Sequence, residues 1–389
     1  MRIAVLTNAP TPYRVPVFER MAETDGVTLR VFFDDVPDSR AGASSLPFPH
    51  EVLPRGPALR RRSYQDEPRF AERRAIRFGW HYLPRLAAFR PDVLISGEFG
   101  WRTLHAALYA LVAGIPLLIW WEATPFTERQ VGALRTGLRL LLARRAAGLV
   151  GFGRGTVACL EVMAPRRTPV HFVPQAVDNA RIACEVDAWR ARGDALRADL
   201  SLRGPTLLCV SRLLPHKGIP ELLAALARLR ARSPERAFTC LLVGDGPLRP
   251  AAERAARELG GALRVEGAAA PETLPRYLAA ADALVFPTLR DCWGMVVSEA
   301  LAAGIPVLGS RYAGASDELI RGGVGRRFDP LDPDDFDAAL DAAVGGVFRQ
   351  VTLPELRRAV ADHTPEAAAR ALLGAAREAL PGALVPRTT

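Results

Sequence analysis

Cysteine is scarce in this chain and scattered. Five occur in 389 residues, at Cys159, Cys184, Cys209, Cys240 and Cys292. None has the short paired spacing of a zinc site or a disulfide framework, so they read as small buried residues in a reducing compartment. Long apolar runs are also lacking. The longest, Ala106 to Trp121, is split by Gly114 and Pro116 into a helix end and a strand, which excludes a membrane span. Near the start, Ile3 to Leu6 is too short for the apolar core of a secretory signal, and Arg14 breaks the next stretch, so no signal peptide is expected. No RRM, KH, zinc-finger or homeodomain pattern is present, which removes nucleic acid as the partner of a net charge of +9. An anionic membrane or an acidic substrate is left to explain that charge.

What the chain does have is apolar residues in quantity, 49% of the total, and a length that exceeds one ordinary core. Disorder is therefore excluded and two domains are expected. Buried strands alternate with helical patterns. In the first half, strands are predicted at Arg2–Thr7, Thr28–Phe33, Val93–Ser96, Leu117–Trp120, Gly148–Gly151 and His171–Val173, with helices such as Pro16–Glu23, Gly100–Ala113 and Leu134–Ala146 between them. Pro16 suits the first turn of its helix. Asp38 to Pro68 is rich in Pro, Ser, Gly and Arg, has no period, and reads as a long loop. The alternation resumes at Thr206. Such a pattern gives parallel sheets with helices on both faces. The expected division is residues 1–175, a linker over 176–204, residues 205–363, and a terminal helix within 364–389.

The most informative stretch runs from Ala283 to Pro306. An apolar strand over Ala283–Phe286 is closed by Pro287, a loop carries Asp291, and a helix predicted over Val296–Ala303 closes at Gly304. The free amides near Trp293, Gly294, Met295 and Val296 form an anion site at the helix start. Asp291 precedes it, and Glu299 lies one turn into the helix. A nucleotide diphosphate-sugar needs this set: amides for phosphate, one carboxylate for sugar hydroxyls and one for ribose. Upstream, the strand Thr206–Val210 leads into Ser211-Arg-Leu-Leu-Pro-His-Lys-Gly218 and a helix at Pro220–Arg230. Arg212 and Lys217 then stand at the carboxyl end of a parallel strand, where open α/β sheets bind ligands. Two fixed cations suit a leaving diphosphate. Glycine turns come next, at Gly244-Asp-Gly-Pro247 and at Gly267-Ala268.

Taken together, these segments resemble the retaining GT-B glycosyltransferases of family 4, the glycosyl transferases group 1. The acid-x7-Glu signature is present as Asp291 and Glu299, with Asp where Glu is commoner. The Ser-Arg-Leu…Lys-Gly segment, the Gly-Asp-Gly-Pro loop, the opening Pro10-Thr-Pro-Tyr-Arg14 and the stretch Val173-Pro-Gln-Ala-Val-Asp-Asn179 match in order. The resemblance implies an α/β fold of two Rossmann-like domains with parallel sheets and a cleft between them. The terminal helix would return to the first domain. The second domain would bind a nucleotide-sugar donor through Ser211, Arg212, Lys217, Gly244, Gly267, Ala268, Asp291, Trp293, Gly294, Met295, Val296 and Glu299. The first would hold a glycan or lipid-linked glycan acceptor near Asn8, Tyr13 and Arg14. In Ile119-Trp-Trp-Glu122 relatives often carry a histidine; here Glu122 would accept a hydrogen bond or act as base. Arg212, Lys217, Asp291 and Glu122 form the expected catalytic set, with retention at the anomeric carbon.

No cofactor and no metal are expected. Gly151-Phe-Gly-Arg-Gly155 lacks the full dinucleotide spacing, and Asp332-Pro-Asp-Asp-Phe-Asp337 is explained by helix capping. Cys292 reads as a bystander, and His81 and His105 as structural. A nucleotide-sugar 2-epimerase and a non-catalytic nucleotide- or glycan-binding protein share the scaffold as alternatives. Basic residues cluster at Arg55–Arg77 and at Arg135–Arg145, the second an amphipathic helix. Contact with an anionic membrane is expected there through Arg135, Arg139, Arg144 and Arg145, with the protein cytoplasmic and peripheral on the inner face of the plasma membrane.

Overall fold

The computed structural model describes residues 1–34, 46–54, 58–63, 72–77, 81–128 and 132–382. Two compact units emerge, one formed by the chain up to Ala176 with His363 onward, the other by Val177–Asp362.

The first unit is built on strands β1 (Arg2–Thr7), β2 (Thr28–Phe33), β3 (His50–Val52), β6 (Val93–Gly97), β7 (Leu117–Trp121), β8 (Gly148–Phe152) and β9 (Val170–Val173). They form one parallel sheet in the order β3-β2-β1-β6-β7-β8-β9. A separate antiparallel pair, β4 (Ala58–Ser63) and β5 (Glu72–Arg77), completes the strands. The central strands are buried along their whole length because helices cover both faces. These helices are α1 (Val15–Ala22), α2 (Tyr82–Phe89), α3 (Trp101–Ala113), α4 (Ala133–Arg145) and α5 (Arg154–Met163). Pro16 sits in the first turn of α1, whose Val17, Phe18 and Met21 face the sheet.

The second unit has β10 (Thr206–Val210), β11 (Thr239–Val243), β12 (Leu263–Gly267), β13 (Ala283–Phe286), β14 (Val307–Ser310) and β15 (Gly325–Phe328), parallel in the order β12-β11-β10-β13-β14-β15. Its helices are α6 (Asn179–Arg190), α7 (Asp194–Asp199), α8 (Ile219–Arg232), α9 (Arg249–Glu258), α10 (Leu274–Ala280), α11 (Met295–Ala302), α12 (Gly314–Leu319), α13 (Pro333–Val344) and α14 (Leu353–Arg358). Strand parity sorts the core. Leu208, Leu241, Leu284 and Phe286 belong to one apolar layer, with residues of α6, α10 and α11. Leu207, Cys209, Leu242 and Val285 belong to the other, with residues of α8, α9 and α13. Each fully buried leucine contributes about 1.5–3 kcal/mol relative to exposure.

Two expectations change. Residues 176–204, read as a linker, carry α6 and α7, whose Ile182, Val186 and Leu196 are buried in the core of the second unit. Asp178 caps α6 by accepting the Arg181 amide at 3.0 Å. The stretch read as a loop over Asp38–Pro68 contains β3 and β4 in its described part. The side chains of the basic cluster Arg55–Arg77 lie outside the described residues. The last helix, α15 (Pro365–Ala379), starts at Thr364, which accepts the Ala367 amide at 3.2 Å. It buries Ala368, Leu372, Leu373 and Ala376 in the core of the first unit.

Strand order fixes where a ligand can sit. In each sheet the chain leaves one central strand to one side and returns to its other side, at β1/β6 and at β10/β13. Loops at the carboxyl ends of those strand pairs diverge and leave a crevice.

Candidate active site

At the switch point of the second sheet, the loops after β10 and β13 are tied together. The Leu289 amide donates to the His216 carbonyl at 2.9 Å, and Thr288 Oγ1 donates to the same oxygen at 3.3 Å. The first loop makes a 3₁₀ turn over Pro215–Lys217 and ends in Gly218, with φ +70°. A Cβ at Gly218 would overlap the Pro287 carbonyl, so the tie requires glycine twice over, for torsion and for space. The turn presents Lys217, whose Nζ lies 2.6 Å from Asp291 Oδ2. Both side chains are mostly enclosed, at 14% and 17% exposure.

Lys217 is the only lysine in the chain; the other fifty of its 51 lysine and arginine residues are arginines. Where every other such cation is a planar guanidinium, one compact ammonium with three rotatable donors stands at the switch point. That compositional signal was available in the sequence and marks this position independently of any motif.

Asp291 is held from three sides. Its amide donates to the Tyr312 carbonyl at 3.1 Å, its Oδ1 accepts the Trp293 amide at 3.2 Å, and its Oδ2 meets Lys217. Gly294 then caps α11 with φ +97°, where a Cβ would strike the Phe286 ring. The amides of Met295 and Val296 open α11 and have no acceptor within the helix, which leaves partial positive charge beside Asp291. Of Trp293 only the backbone amide is expected at the site, and its side chain turns inward. It is buried, and its indole N–H donates to Ser298 Oγ at 3.0 Å. Val296 is buried too, so both can offer a ligand only backbone.

Glu299, one turn into α11, is half-buried, and its carboxylate accepts no hydrogen bond among the described residues. Burial pushes its carboxyl up to about 7, with Arg181 partly opposing. A desolvated carboxylate without donors suits a ligand that brings hydroxyls. The Cys292 thiol is pushed up to about 12, chiefly by burial, which keeps it protonated and unreactive.

The remaining donor-side candidates form a stitched edge. The Ser211 amide donates to Val243 and the Leu213 amide to Asp245, while the Gly244 amide donates to Gly267 at 2.7 Å. A Cβ at Gly244 would overlap the Ser211 carbonyl. Gly267 has φ +76°, and Ala268 beside it is exposed. Arg212 is exposed and its guanidinium has no partner among the described residues; the structure does not join it to the Lys217–Asp291 pair.

In the first unit, Asn8 comes directly after β1 and its Oδ1 accepts the Ala9 amide at 2.9 Å. Tyr13 is half-buried in the same loop. Arg14 is buried and forms an ion pair with Glu122, its guanidinium over the rings of Trp120 at 4.3 Å and Phe152 at 4.7 Å. Glu122, expected here as hydrogen-bond acceptor or base, has its carboxylate paired with Arg14. Sequence reasoning missed Glu98. This exposed residue comes directly after β6, beside the β1 loop at the switch point, and holds φ +64°. Its amide donates to the Trp120 carbonyl at 2.8 Å and its carbonyl accepts from Thr103 Oγ1. A non-glycine residue in this conformation is uncommon and often marks a functional position. Only strand order places Glu98 there.

The acids near Asp332 are engaged locally. Asp332 caps α13, Asp335 pairs with Arg326, and Asp337 pairs with Arg228 and Arg232. Gly151–Gly155 forms the turn from β8 into α5. No helix among the described residues is long and apolar enough to cross a membrane.

Residues 204–345 match the family model of the glycosyl transferases group 1. Over 203 residues the chain is 36% identical to a GDP-mannose-dependent alpha-(1-6)-phosphatidylinositol monomannoside mannosyltransferase of Mycolicibacterium smegmatis, covering 49% of each chain. Over 243 residues it is 29% identical to a 2-deoxystreptamine glucosyltransferase of Streptomyces kanamyceticus, covering 59% of this chain and 61% of that one. The matches thus span about half the length of these curated relatives. Among solved structures, Anabaena HepE in complex with UDP superposes with a TM-score of 0.72 at 17% identity, over 96% of this chain and 99% of that one. That likeness is one of fold, two Rossmann-like units of the GT-B kind. Residues 204–345 are thus similar to the glycosyl transferases group 1, and the chain as a whole has the GT-B fold.

Proposed function

We propose that the protein is a retaining glycosyltransferase. It moves a sugar from a nucleotide-sugar to a hydroxyl of a glycan or lipid-linked glycan, at the cytoplasmic face of an anionic membrane. The observation that carries this reading is the sole lysine, paired with Asp291 at a switch point beside the start of α11. In the free protein Asp291 neutralises Lys217. An arriving diphosphate takes over the ammonium and frees Asp291 to accept sugar hydroxyls. As the bond from the anomeric carbon to the phosphate oxygen breaks, negative charge grows on that oxygen. Lys217, Arg212 and the Met295 and Val296 amides stabilise it. The acceptor oxygen bonds to the anomeric carbon on the face the phosphate leaves, and its proton passes to the departing phosphate oxygen. The products are the glycoside, with retained configuration, and a nucleoside diphosphate.

Backbone at Gly267 and Ala268 meets the base, and Glu299 takes the ribose hydroxyls. On the acceptor side, Asn8, Tyr13 and Glu98 meet the acceptor, while Glu122 acts by positioning Arg14. Two relatives transfer hexoses, one of them to a phosphatidylinositol lipid, which supports the acceptor class.

The test begins with thermal shift against UDP, GDP, ADP, dTDP and CMP, since a ligand of the native state alone must raise the melting temperature. The stabilising nucleotide names the donor. Product analysis with and without acceptor is then run on chelator-treated protein. Acceptor-dependent transfer that survives chelation is expected. Epimerised sugar without acceptor, or no stabilising nucleotide, would sink the proposal.

Glu299 adds a pH signature. Its folded value of about 7 exceeds the ordinary 4.5, so between those limits the native state holds a proton that the unfolded chain has released. Stability therefore falls as pH rises through that window, by on the order of 2 kcal/mol once partial exposure is allowed for. Ribose hydroxyls favour the anion, so nucleotide affinity should rise as pH passes 7. Calorimetry on Glu299→Gln should find that rise abolished. A rise of the same size in both proteins would remove Glu299 from the nucleotide site.

A further inference from the structure

We propose that the outer face of α3 and α4 is a membrane-docking surface for an anionic lipid bilayer. Exposed apolar side chains concentrate there. On α3, Leu108, Leu111 and Val112 share one face at helical spacing and are 46%, 64% and 81% exposed. On α4, Leu134 and Leu141, two turns apart, are 91% and 53% exposed. Between the helices runs a groove of about 410 Å³, lined by residues including Leu104, Leu108, Leu111, Leu141, Leu142 and Arg145. A stripe of this kind is expected to face a core, yet here it faces solvent.

The surrounding charge names the occupant. Neither helix carries an acidic residue. Arg135 near the start of α4 and Arg144 and Arg145 at its end are exposed. Arg139, expected in the same set, is instead turned inward, 2.7 Å from Glu128 and over the Trp121 ring. The outward face is thus apolar with a cationic rim. Lying in an interface, such a face puts leucine and valine among acyl chains and arginine at phosphate depth. A second copy fits worse, because a two-fold contact would set arginines against arginines with no acid on either helix to neutralise them. The inference deepens the proposed transferase reading by giving a lipid-linked acceptor a surface to arrive on, and rests on that reading only for this link.

The test is flotation of the full chain with vesicles of phosphatidylcholine alone and of phosphatidylcholine mixed with phosphatidylglycerol. Binding to the mixed vesicles only, weakened by salt, is expected. The triple variant Arg135→Glu, Arg144→Glu, Arg145→Glu should lose on the order of a hundredfold in affinity, at about fivefold per arginine. Leu111→Glu with Val112→Glu should abolish binding. All five side chains are exposed, so melting temperatures should stay near wild type. Equal binding to both vesicle types, or wild-type binding by either variant, overturns the proposal. So does a concentration-dependent dimer that Val112→Glu dissociates, which would give the face to a second copy. The nucleotide thermal shift separates the two readings. Lost docking with the shift retained leaves the transferase site standing, and docking without any shift removes that site while the surface remains.

Discussion

Lys217→Ala is expected to lower kcat by roughly a hundredfold or more, the usual cost of one preorganised electrostatic contact of about 3 kcal/mol. Binding of the intact donor should weaken by a smaller factor, because the charge Lys217 meets is greatest as the diphosphate departs. The ion pair at 2.6 Å sharpens this expectation. In the free protein the ammonium already has a partner, so donor binding exchanges one anion for another and gains little. The transition state adds charge that Asp291 never supplied. Removing the lysine also leaves Asp291 enclosed without its cation, and part of the loss will appear there. Lys217→Arg should recover only part of the rate, since a guanidinium is planar and longer in reach. Single-turnover rates beside calorimetric donor affinity make the measurement. Because the chain has one lysine, amine-directed labelling reports on Lys217 with the N-terminus as the sole competing amine. A bound donor should protect it. Wild-type turnover by Lys217→Ala at saturating donor would end its assigned role.

Gly218→Ala should be costly in a different way, through the fold of the loop. At φ +70° an alanine carries a left-handed penalty of about 1–2 kcal/mol. Its Cβ would also overlap the Pro287 carbonyl, which is backbone and cannot rotate aside. The loops after β10 and β13 must then separate, stretching the bonds from Leu289 and Thr288 to His216 and the pair from Lys217 to Asp291. A total loss of about 3–5 kcal/mol is expected, within the range for strain at a special backbone position. Nucleotide stabilisation should vanish with it. Gly374→Ala is the matched control. It lies within α15 with no atom near its would-be Cβ, so alanine there should stabilise by about 0.5–1 kcal/mol. Urea denaturation of both variants decides the matter. If Gly218→Ala unfolds at the wild-type midpoint, the two loops are not tied through this glycine.

Strands β1, β2, β10 and β13 are legible to the residue from sequence alone. β1, β10 and β13 are apolar runs bounded by turn formers and buried along nearly their whole length, while β2 alternates before an apolar end. The start of α15 is legible from Thr364 and Pro365 for the same local reason, a cap and a preset torsion. So are the types of side chain at the site, including a lone lysine among arginines. What escaped is equally specific. The three-residue β3 and the β4–β5 pair carry no apolar alternation in their sequences. The pairing of Lys217 with Asp291 joins residues 74 apart, and that of Arg14 with Glu122 depends on β1 and β7 lying in one sheet. The inward turn of Trp293 and Arg139 and the place of Glu98 at a switch point are of the same kind. A sequence sets period, torsion and charge residue by residue. Which strands become neighbours, and which way a side chain then turns, depends on packing between distant segments, and that was decided only when the sheets assembled.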